Sequence, residues 1–253
     1  MKVLIIVAYD GTNYSGWQRQ DNAGTVQGEI ENALYAITEK NIEIIGASRT
    51  DAGVHSLGNL AVFDVDSTIP GDRWCKVLNQ YLPEDIVITK SFEVDDEYNP
   101  RYEKYRKTYE YTILNRDVTL PTYERNAYFV YGKLDVNAMR EGAAFLVGEH
   151  DFASFCGAGS QVKTTVRNVV SVDIDEENLP VVTGEDDGKL IKIRVTGDGF
   201  LYNMVRIIAG TLIEVGQGKR KPSDINEIIK GKERKLAGKT APAKGLALLR
   251  IEI

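Results

Sequence analysis

The sequence predicts an α+β protein made of two halves. Three observations lead there. The chain has 253 residues, room for one large domain or two small ones. Hydrophobic residues make up 43%, enough for a substantial core. Runs of β-rich residues and stretches of helical period alternate along the whole length, in an order that the second half partly repeats. The joint falls near Glu97–Lys107, giving an N-terminal α+β domain over residues 1–103 and a C-terminal one over 104–253.

The first half reads strand–helix–strand–strand–helix–strand. Val3–Ala8 is a continuous β-rich run. Gly11–Gly24 is a loop rich in Gly, Asn and Ser, and Thr25 suits an N-cap. Val26, Ile30, Ala33, Leu34 and Ile37 then recur at helical spacing. Ile42–Gly46 and Leu60–Val65 are strands. Trp74, Val77, Leu78 and Tyr81 mark a short helix that stops at Pro83, and Ile86–Phe92 is a strand. In the second half, Thr108–Leu114 and Tyr128–Tyr131 read as strands, and Val136, Met139, Ala143 and Leu146 line a helix. Val166–Ile174 and Leu190–Val195 form a hairpin across the acidic segment Asp175–Lys189. Tyr202, Val205, Ala209 and Leu212 line a helix. Pro222–Ile229 is a shorter one with Pro222 in its first turn, and Leu246–Ile253 closes the chain as a strand.

Several function classes are excluded by what is missing. No apolar run approaches the ~20 residues that span a bilayer. The apolar start, Met1–Ala8, runs straight into Tyr9-Asp10-Gly11 and reads as a buried strand and not a signal peptide. Cys75 and Cys156 form no metal motif and are expected as reduced thiols in a cytoplasm. His55 and His150 are not spaced as a helical metal pair. There is no phosphate-binding loop and no dinucleotide fingerprint, so no metal and no cofactor are expected. The net charge of −6 argues mildly against nucleic acid, but its distribution is uneven. Lys219–Lys244 holds nine cations, opposed within that stretch by Asp224, Glu227 and Glu233. Arg101, Lys104, Arg106 and Lys107 form a second basic stretch. Such runs are either solvated surface or a face for phosphate.

The least ordinary segment is Ala47-Ser48-Arg49-Thr50-Asp51-Ala52-Gly53-Val54-His55, between two expected strands. A plain hairpin needs only a few turn residues. This loop gathers Arg, Asp and His around Ala-Gly, which lets the backbone turn tightly beside a ligand. Arg49 nearby would favour an ionised Asp51. The same residues would also serve as an Asx-turn with a surface arginine.

Arg49-Thr50-Asp51-Ala52-Gly53-Val54-His55 resembles the signature loop of the tRNA pseudouridine synthase A family, the loop that carries its catalytic aspartate. Further blocks resemble the family in order along nearly the whole chain: Tyr9–Gln18, Leu78–Ile86, Lys107–Tyr111, Gly148–Phe155 and Phe200–Arg206. Ser48 and Ser56 stand where much of the family is expected to have Gly and Ala; both are small, so the loop shape should survive.

The resemblance implies two ferredoxin-like α+β lobes whose antiparallel sheets join into one, helices on the outer face and an active cleft between the lobes. It implies a cytoplasmic homodimer whose partner is tRNA, with neither DNA nor membrane involved. The reaction it implies turns uridine into pseudouridine on the 3′ side of the anticodon stem-loop, at positions 38, 39 and 40, without metal or cofactor. By position, Asp51 is the nucleophile or its equivalent, attacking C6 or C1′ or removing a proton toward a glycal. Tyr109 would stack on the flipped uracil, and Arg206 would hold Asp51 ionised and aimed. Arg49 would help to extrude the base or hold its phosphate. Extrusion costs a few kcal/mol, which stacking on an aromatic face offsets.

Two rivals remain at this level. Ile5–Thr12 looks like a buried strand running into Asp-Gly-Thr, as in haloacid-dehalogenase-type phosphotransferases, but Ala8 stands where the attacking aspartate is needed. A non-catalytic RNA-binding protein of the same fold would need a lost catalytic residue, and Asp51, Tyr109 and Arg206 are all present.

Overall fold

The computed structural model describes residues 1–160, 162–179 and 188–252. Its contacts divide the chain into two units, Met1–Tyr105 with Ala247–Ile253, and Arg106–Leu246.

In the first unit, β1 (Lys2–Tyr9) is a continuous run of β-formers. Helix α1 (Val26–Thr38) starts where Thr25 was expected to cap it, the Thr25 hydroxyl accepting from the Gly28 amide, and ends at Glu39 in the left-handed region. Strand β2 is only Ile45–Gly46. The expected start at Ile42 fails because the Ile44 amide donates to the Glu31 carboxylate (3.2 Å) and not to a neighbouring strand. Strand β3 (His55–Asp64) begins well before the expected Leu60. Gly58 and Asn59 are poor β-formers, so the start of β3 is hidden in local propensity and set by pairing, Ser56 lying opposite Tyr9. Helix α2 (Trp74–Leu78) and strand β4 (Ile86–Val94) follow.

Strand β1 lies between β3 and β4, antiparallel to both. Alternation points Val3, Ile5, Val7 and Tyr9 into one core with Ile30 and Leu34 of α1 and Trp74 and Leu78 of α2. Phe63 meets Trp74 edge to face at 5.2 Å.

In the second unit, β5 (Arg106–Asn115) and the short parallel strand β6 (Tyr128–Val130) are followed by α3 (Val136–Ala144) and by β7 (Gly148–Asp151), which was not expected. The hairpin is present as β8 (Val166–Asn178) and β9 (Lys189–Gly197); most of its connection lies outside the described residues. The sheet order is β5-β9-β8-β7. Helix α4 (Met204–Gly216) is nearly all buried. Tyr202, expected on its apolar face, instead precedes the helix and is 49% exposed. The cause is Asn203, whose φ of 60° lies in the left-handed region and breaks the helical path. Helix α5 (Asp224–Gly231) begins after Pro222, not on it. Strand β10 (Leu246–Glu252) ends the described chain; expected with the second half, it pairs in parallel with β3 of the first unit, Ala247 opposite His55.

A buried polar cluster ties α1 to the segments flanking it. The Glu31 carboxylate is 7% exposed. It accepts from Gln27 Nε2 (2.8 Å) and the Ile44 amide (3.2 Å) and pairs with Arg19 (3.0 Å). Gln27 Oε1 accepts from the Arg19 amide (3.1 Å). Glu31→Ala strips two buried donors, Gln27 Nε2 and the Ile44 amide, of an acceptor and is expected to cost about 2–3 kcal/mol, read as a lower midpoint in urea at unchanged slope. An unchanged midpoint would show that the cluster is dispensable.

Candidate active site

Main-chain hydrogen bonds hold the loop from Ala47 to Val54 at several points. The Ala47 amide donates to Leu60 O (2.8 Å) at one end. Inside the loop, the Trp17 amide donates to Thr50 O (3.1 Å) and the Gly53 amide to Tyr14 O (3.2 Å). The Val54 amide donates to Asp51 O (3.1 Å), closing a turn of residues 51–54. Gly53 has φ of 75° at the third position of that turn, where a type II turn requires a positive value. The turn thus carries a backbone hydrogen bond that does not draw on the Asp51 carboxylate.

Side chains brace the same backbone. Thr50 Oγ1 and the Tyr9 hydroxyl share a buried hydrogen bond of 2.7 Å. Asn59 Nδ2 donates to Ser48 O (2.9 Å). The Tyr14 hydroxyl donates to Asp85 Oδ1 (2.5 Å); burial, followed by this carboxylate, pushes the Tyr14 phenol above its ordinary range. Ser48 and Thr50 are buried, Asp51 is half-buried and Arg49 is exposed, so the loop shows solvent an arginine and an aspartate on a fixed frame.

The Asp-Gly-Thr segment has a structural role. Asp10 Oδ1 accepts from the Thr12 amide (3.0 Å) and hydroxyl (2.5 Å), capping a short 3₁₀ turn. The Gly11 amide donates to His55 Nδ1 (3.0 Å), and Asp10 Oδ1 stands 3.2 Å from the same nitrogen. His55 is buried at the start of β3 and ties the end of the loop to this turn. Together with Ala8 in place of an attacking aspartate, this leaves the phosphotransferase reading without support.

Tyr109 and Arg206 lie in the second unit. Tyr109, 7% exposed on β5, meets the Phe200 ring edge to face at 5.3 Å. Arg206 is half-buried in the first turn of α4. Its Nε donates to Ala241 O (2.8 Å) and its Nη1 to Asn203 Oδ1 (2.8 Å). The left-handed Asn203 that starts the helix therefore also fixes the guanidinium. Burial raises the Tyr111 phenol above its ordinary range, and the Arg206 charge acts in the opposite sense. Arg206 thus projects its charge onto the strand that carries Tyr109.

The Lys219–Lys244 stretch is less bare than its sequence suggests. Arg220 pairs with Glu214 (2.5 Å), Lys232 with Asp151 (2.9 Å) and Lys244 with Glu124 (2.5 Å), all acids remote in sequence or outside the stretch. Lys230 and Lys235 pair with Glu227 and Glu233. Among the described residues, Lys219, Lys221, Lys239 and Arg234 have no ion pair, and Arg234 is held by Gly238 O (2.9 Å) and Thr240 Oγ1 (3.0 Å). Among the described residues no group of three or more His, Cys, Asp or Glu is placed to hold a metal ion, and no helix is long and apolar enough to cross a membrane.

A tRNA pseudouridine synthase profile matches residues 5–103 and 143–252. The chain belongs to the tRNA pseudouridine synthase family. Family members are isomerases. The chain is 49% identical over 248 residues to tRNA pseudouridine synthase A 2 of Clostridium tetani, covering 97% of this chain and 96% of the relative. It is 47% identical over 249 residues to tRNA pseudouridine synthase A of Acetivibrio thermocellus, covering 98% of each. The enzyme of the same name from Brevibacillus brevis is 47% identical over 247 residues, 98% of this chain and 97% of the relative.

Sequence reasoning missed three contributors that this family member places around the expected residues. Tyr9 holds Thr50, Asn203 holds Arg206, and Phe200 abuts Tyr109. Tyr9 and Phe200 have no local signal because each acts on a partner far along the chain, and Asn203, three residues before Arg206, gives no sign in its residue type of the left-handed backbone that lets it reach the guanidinium.

The frame of the loop is open to a direct test. Gly16 has φ of 98°, and a Cβ there would stand 2.6 Å from Thr50 O. Gly16→Ala is expected to cost at least about 2 kcal/mol in strain and clash. It should also speed hydrogen exchange of the Trp17 amide, which donates to Thr50 O. Gly24, where a Cβ would meet nothing within 4 Å, is the control. Equal behaviour of Gly16→Ala and Gly24→Ala would show that the loop is not held this way.

Proposed function

We propose that this enzyme isomerises uridine to pseudouridine in tRNA, on the 3′ side of the anticodon stem-loop at positions 38, 39 and 40. The observation that carries the reading is the Asp51 turn: a half-buried carboxylate on a backbone fixed by the Tyr14, Trp17 and Leu60 hydrogen bonds, inside the segment that resembles the family's signature loop. A preset loop is what covalent or proton-transfer catalysis needs, because small displacements of the reacting group cost rate.

Asp51 acts as the attacking or proton-abstracting carboxylate. Tyr109, with Phe200 at its edge, is the aromatic face on which the extruded uracil stacks. Arg206, steered by Asn203 and Ala241 O, supplies the positive charge that keeps the carboxylate ionised, acting on the same uridine as Tyr109. Arg49, exposed beside Asp51, engages the displaced nucleotide or its phosphate. The enzyme works in the cytoplasm as a homodimer and needs neither metal nor cofactor.

Asp51→Asn preserves side-chain shape and removes the charge. Because the Asp51–Val54 turn is closed by a main-chain hydrogen bond, the variant should fold normally. Pseudouridine formed in a single turnover should fall to background, while tRNA binding persists, since phosphate contacts elsewhere supply most of the affinity. A folded variant with near-normal turnover would sink the mechanism.

Binding itself should weaken with salt, with a log–log slope of about −0.7 to −0.9 per phosphate contact. Lys219, Lys221 and Lys239 are the first residues to test, and charge removal at all three should flatten that slope. An unchanged slope would move the phosphate contacts elsewhere.

A further inference from the structure

The fold turns Tyr202 outward, where its spacing to Val205 and Ala209 would have buried it, and leaves the ring half exposed. It lies on the segment between two residues of the proposed uridine site: Phe200, whose ring abuts Tyr109 at 5.3 Å, and Arg206. The ring is nonetheless seated. The Gly157 amide donates to Tyr202 O (2.8 Å). A Cβ on Gly157 would stand 2.7 Å from Tyr202 Cδ1 and 2.9 Å from Asn203 Nδ2. The ring therefore rests against bare backbone on one side. The left-handed Asn203 that turns it outward is also the residue that holds Arg206.

A cation flanks the same segment. A Cβ on Gly199 would stand 4.0 Å from Arg167 Cδ and Nε, so the Arg167 side chain passes beside that glycine. Arg167 is half-buried on β8. Its Nη1 donates to Thr164 O (3.0 Å) and Val166 O (2.6 Å), both neutral acceptors. Among the described residues it has no ion pair. Lys192 and Arg194 of β9 differ, pairing with Glu177 and with Glu110 and Asp175. The stretch Gly199–Asn203 thus has an arginine beside its start, an exposed ring near its end, and between them the ring that meets Tyr109.

We propose that Tyr202 and Arg167 form a subsite for a nucleotide next to the target uridine, the ring stacking on its base and the guanidinium meeting its phosphate. The proposal rests on the reading of Tyr109 and Arg206 as the uridine site. Extruding one nucleotide takes a stacking partner from each of its neighbours. An aromatic face held at that place returns the lost contact, and for any base, because every base has a π-face. Arginine suits the phosphate because its planar fork matches two oxygens at once. The neighbour needs a new partner only after the uridine has left the stack. The subsite therefore binds the extruded state better than the stacked one, and it is that difference which shifts the equilibrium.

The test uses full-length tRNA, either intact or assembled with an abasic residue just before or just after the target uridine. Binding and single-turnover pseudouridine formation are measured at rising enzyme concentration. Tyr202→Ala should bind intact tRNA about tenfold more weakly, within the range for loss of one base stack. The loss should appear as a higher enzyme concentration for half-maximal rate. Tyr202→Trp, which restores an aromatic face, should stay within about threefold of wild type. On one of the two abasic tRNAs the effect of Tyr202→Ala should vanish, since the base it serves is gone. Arg167→Gln should weaken binding and reduce the log–log salt slope by about 0.7–0.9, one phosphate contact.

Wild-type affinity in a folded Tyr202→Ala overturns the proposal. So does a loss confined to the maximal rate, or one that persists in full on both abasic tRNAs. If Tyr202→Ala does not fold, Tyr202→Leu, which keeps bulk on Gly157 without a ring, decides on the same criteria. An unchanged salt slope in Arg167→Gln overturns the part assigned to the arginine. Absence of pseudouridine from the wild-type reaction would instead refute the proposed function itself.

Discussion

Everything proposed for Asp51 depends on one constraint, the close approach of two backbones. The segment Gly11–Trp17 runs so near to Thr50–Val54 that a Cβ on Gly11 would meet Val54 O at 2.0 Å and one on Gly16 would meet Thr50 O at 2.6 Å. Side chains could not be inserted there, so the contact is made by amides and carbonyls. Main-chain hydrogen bonds do not hop between rotamers, and their partners are fixed by strands β1 and β3 on either side. A loop built in this way has its backbone geometry set by the sheet. Arg49, exposed, and Asp51, half-buried, are carried on this frame.

The polar residues behind the loop extend the same logic. Tyr9 ends the row of core residues on β1, and its hydroxyl reaches Thr50. The ring is therefore core and the oxygen is loop support. Glu31 likewise ties α1 to Ile44, immediately before β2 and the loop. Helix, strand and loop are coupled through buried groups that would be costly to leave unpaired, so slack in one element is not absorbed by the next.

What the sequence made legible was whatever local chemistry specifies. Thr25 reads as an N-cap because the hydroxyl needs only an amide three residues on. The periodicity of Val26–Leu34 and the alternation of Val3–Tyr9 are likewise local, and so were the helices and most strands. The start of β3 at His55 was not legible, because Gly58 and Asn59 weaken the pattern and only pairing with β1 and β10 extends the strand. Tyr202 read as core because its spacing to Val205 and Ala209 is helical, but Asn203 in the left-handed region cancels that spacing. Asp51 was visible through the family resemblance of its loop; its framing by Tyr14 and Trp17 was not, since nothing in either residue announces a carbonyl or amide partner some 35 residues away in sequence.

The acidic balance of the chain looks unsuited to a polyanionic substrate until the cations are followed to their partners. In the Lys219–Lys244 stretch most are paired, and several of the partners, such as Glu227, Glu233 and Glu124, are well exposed. Exposed pairs of this kind contribute little to stability. They are held weakly enough for a phosphate to take the place of a carboxylate on the same ammonium at little cost. Arg206 is different in kind. Its guanidinium donates to Asn203 Oδ1 and Ala241 O, two neutral acceptors that orient it. On the proposed reading, the surface lysines supply attraction that salt can screen. The oriented arginine supplies charge at a fixed point, and fixed charge is what stabilises a transition state. Net charge therefore says little about this enzyme's suitability for RNA; what counts is which cations are held in place and by what.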